Sequence, residues 1–162
     1  MSKSNVVGGG VVVALVIAGK LALKAGIIAA LFGGSVAASN AYQSRVDEVK
    51  QKAEIFNREH TNQHVTIDEV NRVYTIHMFD NSVKDEDLNV IKADAKATNE
   101  LARELAPAIE QDKQTNIKQI VDTKDSYSNY FLISQGWKEV LSYETYSGNQ
   151  FAQITITSGD LY

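Results

Sequence analysis

An abrupt change of composition after the first forty residues constrains the fold of this chain more than any other feature. Between residues 6 and 38 the only charged side chains are Lys20 and Lys24, and 15 of these 33 residues are glycine or alanine. From Tyr42 onward the sequence is polar and mixed. As one helix, the apolar segment would rise about 50 Å, which exceeds the ~30 Å hydrocarbon core of a bilayer. We therefore predict a membrane anchor helix over residues 1–41.

Small residues recur at every fourth position of this segment. They are Gly10, Ala14, Ala18, Ala22, Gly26, Ala30, Gly34 and Ala38. Small residues four apart let helices approach closely in lipid, so we predict that this ridge packs against other helices. The alternative is that glycine and alanine are simply abundant here. Lys20 and Lys24 are also four apart and share one helix face, which predicts membrane-embedded charges at a polar seam or near the interface.

A second interpretation makes the same segment a cleaved signal peptide, because "SVAA" and "ASNA" are acceptable small-residue cleavage sites. The length argues against this, since signal peptides usually run about 15–30 residues. The Lys and Arg residues that flank the segment are nearly balanced between its two sides. We expect a single-pass protein of the bacterial inner membrane, with its C-terminal domain in the periplasm.

The polar part of the chain predicts a helix and then a small α+β domain. Apolar residues at three- and four-residue intervals predict a helical stalk over residues 42–62. Residues 63–162 form the predicted soluble domain. Alternating, β-branched stretches at 63–70, 72–80, 136–146 and 151–157 predict strands, and one long helix is expected from Ser82 onward. The predicted fold class is α+β: an N-terminal transmembrane helix, then an antiparallel sheet of about four strands packed on one long helix.

The stretch "VYTIHMFD", a helix, and then "GWKEVLSYETYSGNQFAQITIT" resembles small bacterial envelope proteins that pair an N-terminal membrane anchor with a compact domain. The similarity is one of pattern over roughly residues 65–157. Members of that class commonly end with a cysteine, which this chain lacks. The resemblance implies an envelope location and no catalytic residue.

The charges and the motifs argue against several classes of function. Residues 43–162 hold all 20 acidic residues against 13 Lys and Arg, a net charge of −7, which disfavours nucleic acid as a partner. The three histidines, His60, His64 and His77, fit structural roles better than a metal site. No nucleotide-binding or hydrolase motif is present. We expect no enzyme, no cofactor, no metal and no small-molecule substrate.

Aromatic residues concentrate late in the chain. Core packing explains most of them, and a partner-binding face explains the rest. The candidates for that face are Tyr127, Tyr130, Trp137, Tyr143 and Tyr146.

We predict a membrane-anchored structural or assembly subunit. It would be a homo-oligomer or part of a larger membrane complex, and would present an acidic binding domain outside the membrane. Two alternatives remain open. One is a cleaved periplasmic or secreted binder or immunity-type inhibitor, and the other is a membrane-active toxin or lysis factor.

Overall fold

A computed structural model describes residues 42–125 and 128–162 of the chain. Within these ranges the chain forms four helices and a four-stranded sheet. In chain order the elements are α1 (Tyr42–Glu59), β1 (Gln63–Asp68), β2 (Val73–Phe79), α2 (Asp85–Lys92), α3 (Ala95–Asp122), α4 (Ser128–Ser134), β3 (Lys138–Glu144), β4 (Gln150–Ile156) and a short 3₁₀ helix (Ser158–Leu161).

The strands lie in the sheet in the order β1-β2-β3-β4. The two hairpins, β1–β2 and β3–β4, are antiparallel. The central pair β2–β3 is parallel, because the chain leaves β2 and returns to β3 through α2, α3 and α4. The sheet is therefore mixed.

Three helices, α1, α3 and α4, pack on the sheet, and α2 packs on α3. Tyr74, Ile76 and Met78 of β2 point to one face of the sheet and are buried, and their β3 neighbours in register, among them Leu141 and Tyr143, are buried with them. α1 packs on β1, α4 packs on β3, and α3 packs on β4. The opposite face of the sheet carries mostly polar side chains and is not covered by a helix of the described part.

Residues 42–62, predicted as a stalk, form helix α1 over Tyr42–Glu59. One side of α1 enters the core of the domain. Its buried residues are Val46, Val49, Ala53 and Phe56, the same apolar residues that predicted the helix.

The predicted fold class is wrong in three respects. Four helices accompany the sheet instead of one long helix, because the chain breaks between Lys92 and Ala95 and starts new helices elsewhere. The sheet is mixed rather than antiparallel, because β2 and β3 run in parallel. In residues 42–125 and 128–162 no helix is both long enough and apolar enough to cross a membrane, which contradicts the predicted transmembrane helix and the single-pass inner-membrane location. The predicted periplasmic placement of the C-terminal domain depended on that location and is withdrawn with it. The predicted anchor itself, residues 1–41, lies outside the described residues.

Candidate functional site

The two edge strands of the sheet, β1 and β4, differ in how far other described parts of the chain cover them. At the β1 edge, Asn57 of α1 reaches the backbone of Val65. Its Nδ2 donates to the Val65 carbonyl at 2.8 Å, and its Oδ1 accepts from the Val65 N–H at 2.7 Å. The side-chain amide thus occupies a position that a partner strand would take. Such covering protects an edge strand from pairing with another chain.

The β4 edge has no equivalent cover. Within the described residues, no strand and no backbone group of a turn or helix pairs with the outer side of β4. Residues 150–157, "QFAQITIT", contain no charge and no proline, which are two of the devices that commonly protect an exposed edge. The pairing with β3 is irregular only at Tyr143–Glu144, at the start of β4. The remainder of the strand is regular and open along its outer side.

Helix α3 packs on β4, and some of its exposed residues lie beside this strand. Thr98 and Ala102 of α3 are exposed and line a groove beside the strand. Ala95, Asn99 and Ala106 are exposed too, and they lie three or four residues from these two on the same side of the helix. All five are small or medium-sized and uncharged; the exposed Arg103, which lies beside them on α3, is paired with Glu100. We refer to the outer edge of β4 together with these five α3 residues as the β4 side.

A groove of about 230 Å³ runs between the first half of β4 and the helices α2 and α3. Its apolar lining is Leu88, Ile91, Leu101, Ala102, Phe151 and Ala152. Lys92, at the end of α2, is the one charged residue among those that line it, and its ammonium donates to the Asn149 side chain in the β3–β4 turn. The groove therefore has a largely apolar lining beside residues 150–153 of β4.

The open face of the sheet carries a hydrogen-bonded chain across three strands. Thr66 Oγ1 of β1 lies 3.0 Å from His77 Nε2 of β2, and His77 Nδ1 contacts the carboxylate of Glu144 on β3. The order hydroxyl, imidazole, carboxylate is that of a nucleophile with its base. Thr66, however, is exposed on an edge strand of a flat sheet face, and we assign the network the role of linking the three strands. No group of three or more His, Asp or Glu in the described residues is placed to hold a metal ion.

Two carboxyl groups are buried between the sheet and the helices. Glu139 of β3 is 1% exposed, neither of its oxygens has a hydrogen-bond partner in the described structure, and burial raises its pKa to about 8. Asp112 of α3 accepts a 2.7 Å hydrogen bond from the Tyr143 hydroxyl, and burial raises its pKa as well. Both groups are enclosed in the core, so they bear on stability rather than on a surface site.

Only four of the predicted site residues, Tyr130, Trp137, Tyr143 and Tyr146, belong to the described part of the chain. The eight ridge residues, the two lysines Lys20 and Lys24, and Tyr127 lie outside the described residues. Trp137 and Tyr143 are buried in the core, where Trp137 Nε1 donates to the Tyr42 hydroxyl at 2.7 Å. Tyr130 is half-buried, whereas Tyr146 is exposed and stacks on Phe79. These aromatic residues therefore do not share one surface.

The β4 side was not predicted from the sequence. Its signal was present in the uncharged, proline-free run of residues 150–157, which we used only to predict a strand.

The chain matches no family model, and no curated protein and no solved structure is detectably similar to it. The comparisons therefore bear neither for nor against the resemblance to envelope proteins.

Proposed function

We propose that this chain is a non-catalytic assembly subunit whose domain binds a protein partner by adding a partner strand to β4. One observation carries the proposal: among the described residues, β4 is an uncharged edge strand whose outer side is unpaired, and an apolar groove lies beside it. Strand addition takes most of its affinity from main-chain hydrogen bonds and its specificity from pockets for alternate side chains. The β4 edge offers the main-chain hydrogen bonds, and the groove offers a pocket for side chains.

The contrast between the two edges supports this assignment. In the described part of the chain, Asn57 occupies the β1 edge at Val65, whereas the β4 edge carries no charge, no proline and no such cover. An exposed, uncharged edge strand is an aggregation hazard. Its presence in a folded domain is explained when a specific partner pairs with it.

The proposal is tested by selecting peptides from a random display library on the full chain. We expect extended peptides that protect the β4 amides from hydrogen exchange. Gln153→Lys places a charge on β4 and should weaken these peptides about tenfold or more, a change that corresponds to about 1.4 kcal/mol.

Gln63→Lys is the matched control, because it places the same charge on the other edge strand, β1. It should leave peptide affinity unchanged. Peptides that bind elsewhere and leave the exchange of β4 unchanged would contradict the proposal.

A further inference from the structure

We propose that the strand that pairs with β4 belongs to a second copy of this chain. Two β4 strands would then run antiparallel about a two-fold axis and join two sheets into one of eight strands. This inference rests on the proposed function, because it names the partner of the same β4 side.

The distribution of charge favours a second copy over a basic partner. The part of the chain from residue 43 onward has a net charge of −7, so two copies repel each other at long range. They can form a close interface only through surfaces that do not bring further charges of the same sign together. Residues 150–157 and the five α3 residues of the β4 side are all uncharged. A basic partner would instead be matched by acidic residues, and the groove beside β4 is lined by none.

The size of the α3 side chains also fits a second copy. Paired strands lie about 4.8 Å apart, whereas packed helices keep their axes about 8–10 Å apart. Because α3 packs on β4, pairing of two β4 strands brings two α3 helices side by side. Only small side chains allow helix axes near the lower end of that range. Ala95, Ala102 and Ala106 supply them along the exposed side of α3.

The two-fold symmetry of such a dimer limits the assembly to two chains. A two-fold axis perpendicular to the sheet makes the strands antiparallel and keeps both helix layers on one side. Each copy uses the same surface, so the interface is isologous and stops at two chains. The remaining edge of each sheet is β1, which Asn57 covers. Within the described residues, the β4 edge is therefore open for pairing, and the β1 edge is blocked at Val65.

Disulfide trapping tests the geometry directly, because the chain contains no cysteine. Single cysteines are placed in the full chain at Gln153 and Thr155 on β4 and at Ala102 and Ala106 on α3. A disulfide forms only where the two Cα atoms lie within about 4.4–6.8 Å, so positions near the two-fold axis should react. We expect a crosslinked dimer from at least one position on β4 and one on α3.

The matched cysteine controls are Gln63→Cys on β1 and Gln111→Cys, which is exposed on the opposite side of α3. Neither should give a dimer. Equal crosslinking at the control positions, or no crosslinking at any β4 and α3 position, would overturn the inference.

Sedimentation of the full chain gives an independent measurement. Ala102→Glu and Gln153→Lys should each raise the dissociation constant of the dimer about tenfold or more, because each places a pair of like charges across the axis. Gln111→Glu and Gln63→Lys introduce the same charges away from the axis and should leave it unchanged. A monomeric full chain, or an oligomer that none of the four substitutions affects, would overturn the inference.

The two proposals fail differently. If the chain is monomeric but still binds selected peptides in a manner that Gln153→Lys weakens, the second copy is wrong and the docking edge stands. If both the dimer and the peptide binding are absent, the proposed function fails as well.

Discussion

Glu139 lies on β3 beneath the helices, with both carboxylate oxygens unpaired in the described structure. Its pKa of about 8 means that the folded protein keeps this carboxyl group protonated at neutral pH, whereas the unfolded chain releases the proton near pH 4.5. Between these values the folded state binds more protons than the unfolded state. The free energy of unfolding must therefore fall as the pH rises through this window.

Replacing Glu139 by glutamine should remove this dependence. We expect the free energy of unfolding of the unsubstituted protein to fall by up to about 1.4 kcal/mol per pH unit between about pH 5 and pH 8. The Glu139→Gln variant should lack that slope, because its amide does not titrate. Urea unfolding at several pH values measures both. Glu54→Gln, at an exposed position of α1, is the control and should keep the slope.

Asp112 and Tyr143 form a second buried polar pair. Tyr143→Phe would leave Asp112 Oδ2 without its 2.7 Å hydrogen bond, and Oδ1 already has no partner in the described structure. We expect a loss of about 1–3 kcal/mol of stability, the usual cost of leaving a buried polar group unsatisfied. The double variant Asp112→Leu, Tyr143→Phe removes both partners and should lose less than the two single variants combined. Strict additivity in this double-mutant cycle would argue against a direct interaction.

Side-chain placement could be predicted only in part from the sequence. The alternation of residues 136–146 predicts that Trp137, Leu141 and Tyr143 share one face of a strand, but it does not show that helices cover that face. Trp137 and Tyr143 are therefore core residues. Burial depends on the element that packs above a strand, which lies far away in the sequence.

At the scale of elements, Asn57 decides which edge of the sheet stays open. Asn57→Ala removes the two hydrogen bonds to Val65 and leaves the β1 edge bare. We expect the Val65 amide to exchange about tenfold faster or more and the domain to lose about 1–3 kcal/mol of stability. Amide exchange and urea unfolding measure the two effects. The control Gln51→Ala, on the exposed side of α1, should change neither the Val65 exchange rate nor the stability. If Asn57→Ala leaves the exchange of the Val65 amide unaltered, Asn57 does not cover the edge.

Local patterns predicted the position of the strands well and their direction poorly. The four strands lie within about two residues of the alternating stretches. The parallel pairing of β2 with β3 could not be read from either strand, because the two are separated by three helices. Hairpins are set by short turns, whereas a crossover is set by the packing of everything between its ends.

The long predicted helix is in fact two helices. We expected one helix from Ser82 onward, and a proline at position 107 predicts an end or a kink in such a helix. The chain breaks instead between Lys92 and Ala95, where the Asp94 side chain accepts hydrogen bonds from the N–H groups of Lys96 and Ala97 and begins α3. Pro107 lies inside α3 without ending it. An aspartate cap was readable from the sequence, but the continuous apolar spacing concealed it.

At the scale of the whole molecule, the described residues leave one sheet edge open and cover the other at Val65, and the open strand is uncharged in a part of the chain whose net charge is negative. Neither property is visible in a single segment. Edge status depends on the order of strands in the sheet, and the neutrality of the β4 side depends on α3 lying over β4. The sequence supplied the uncharged run, and only the fold placed it at an exposed edge.

Residue-resolved hydrogen exchange of the full chain, over a roughly hundredfold range of protein concentration, tests most directly whether β4 is the strand through which copies meet. We predict that the outward-facing amides of β4 become protected as the concentration rises, while Gln153→Lys keeps them fast at every concentration. The amides of β1 should not respond. Exchange rates of the β4 amides that stay the same at all concentrations would contradict pairing at this edge.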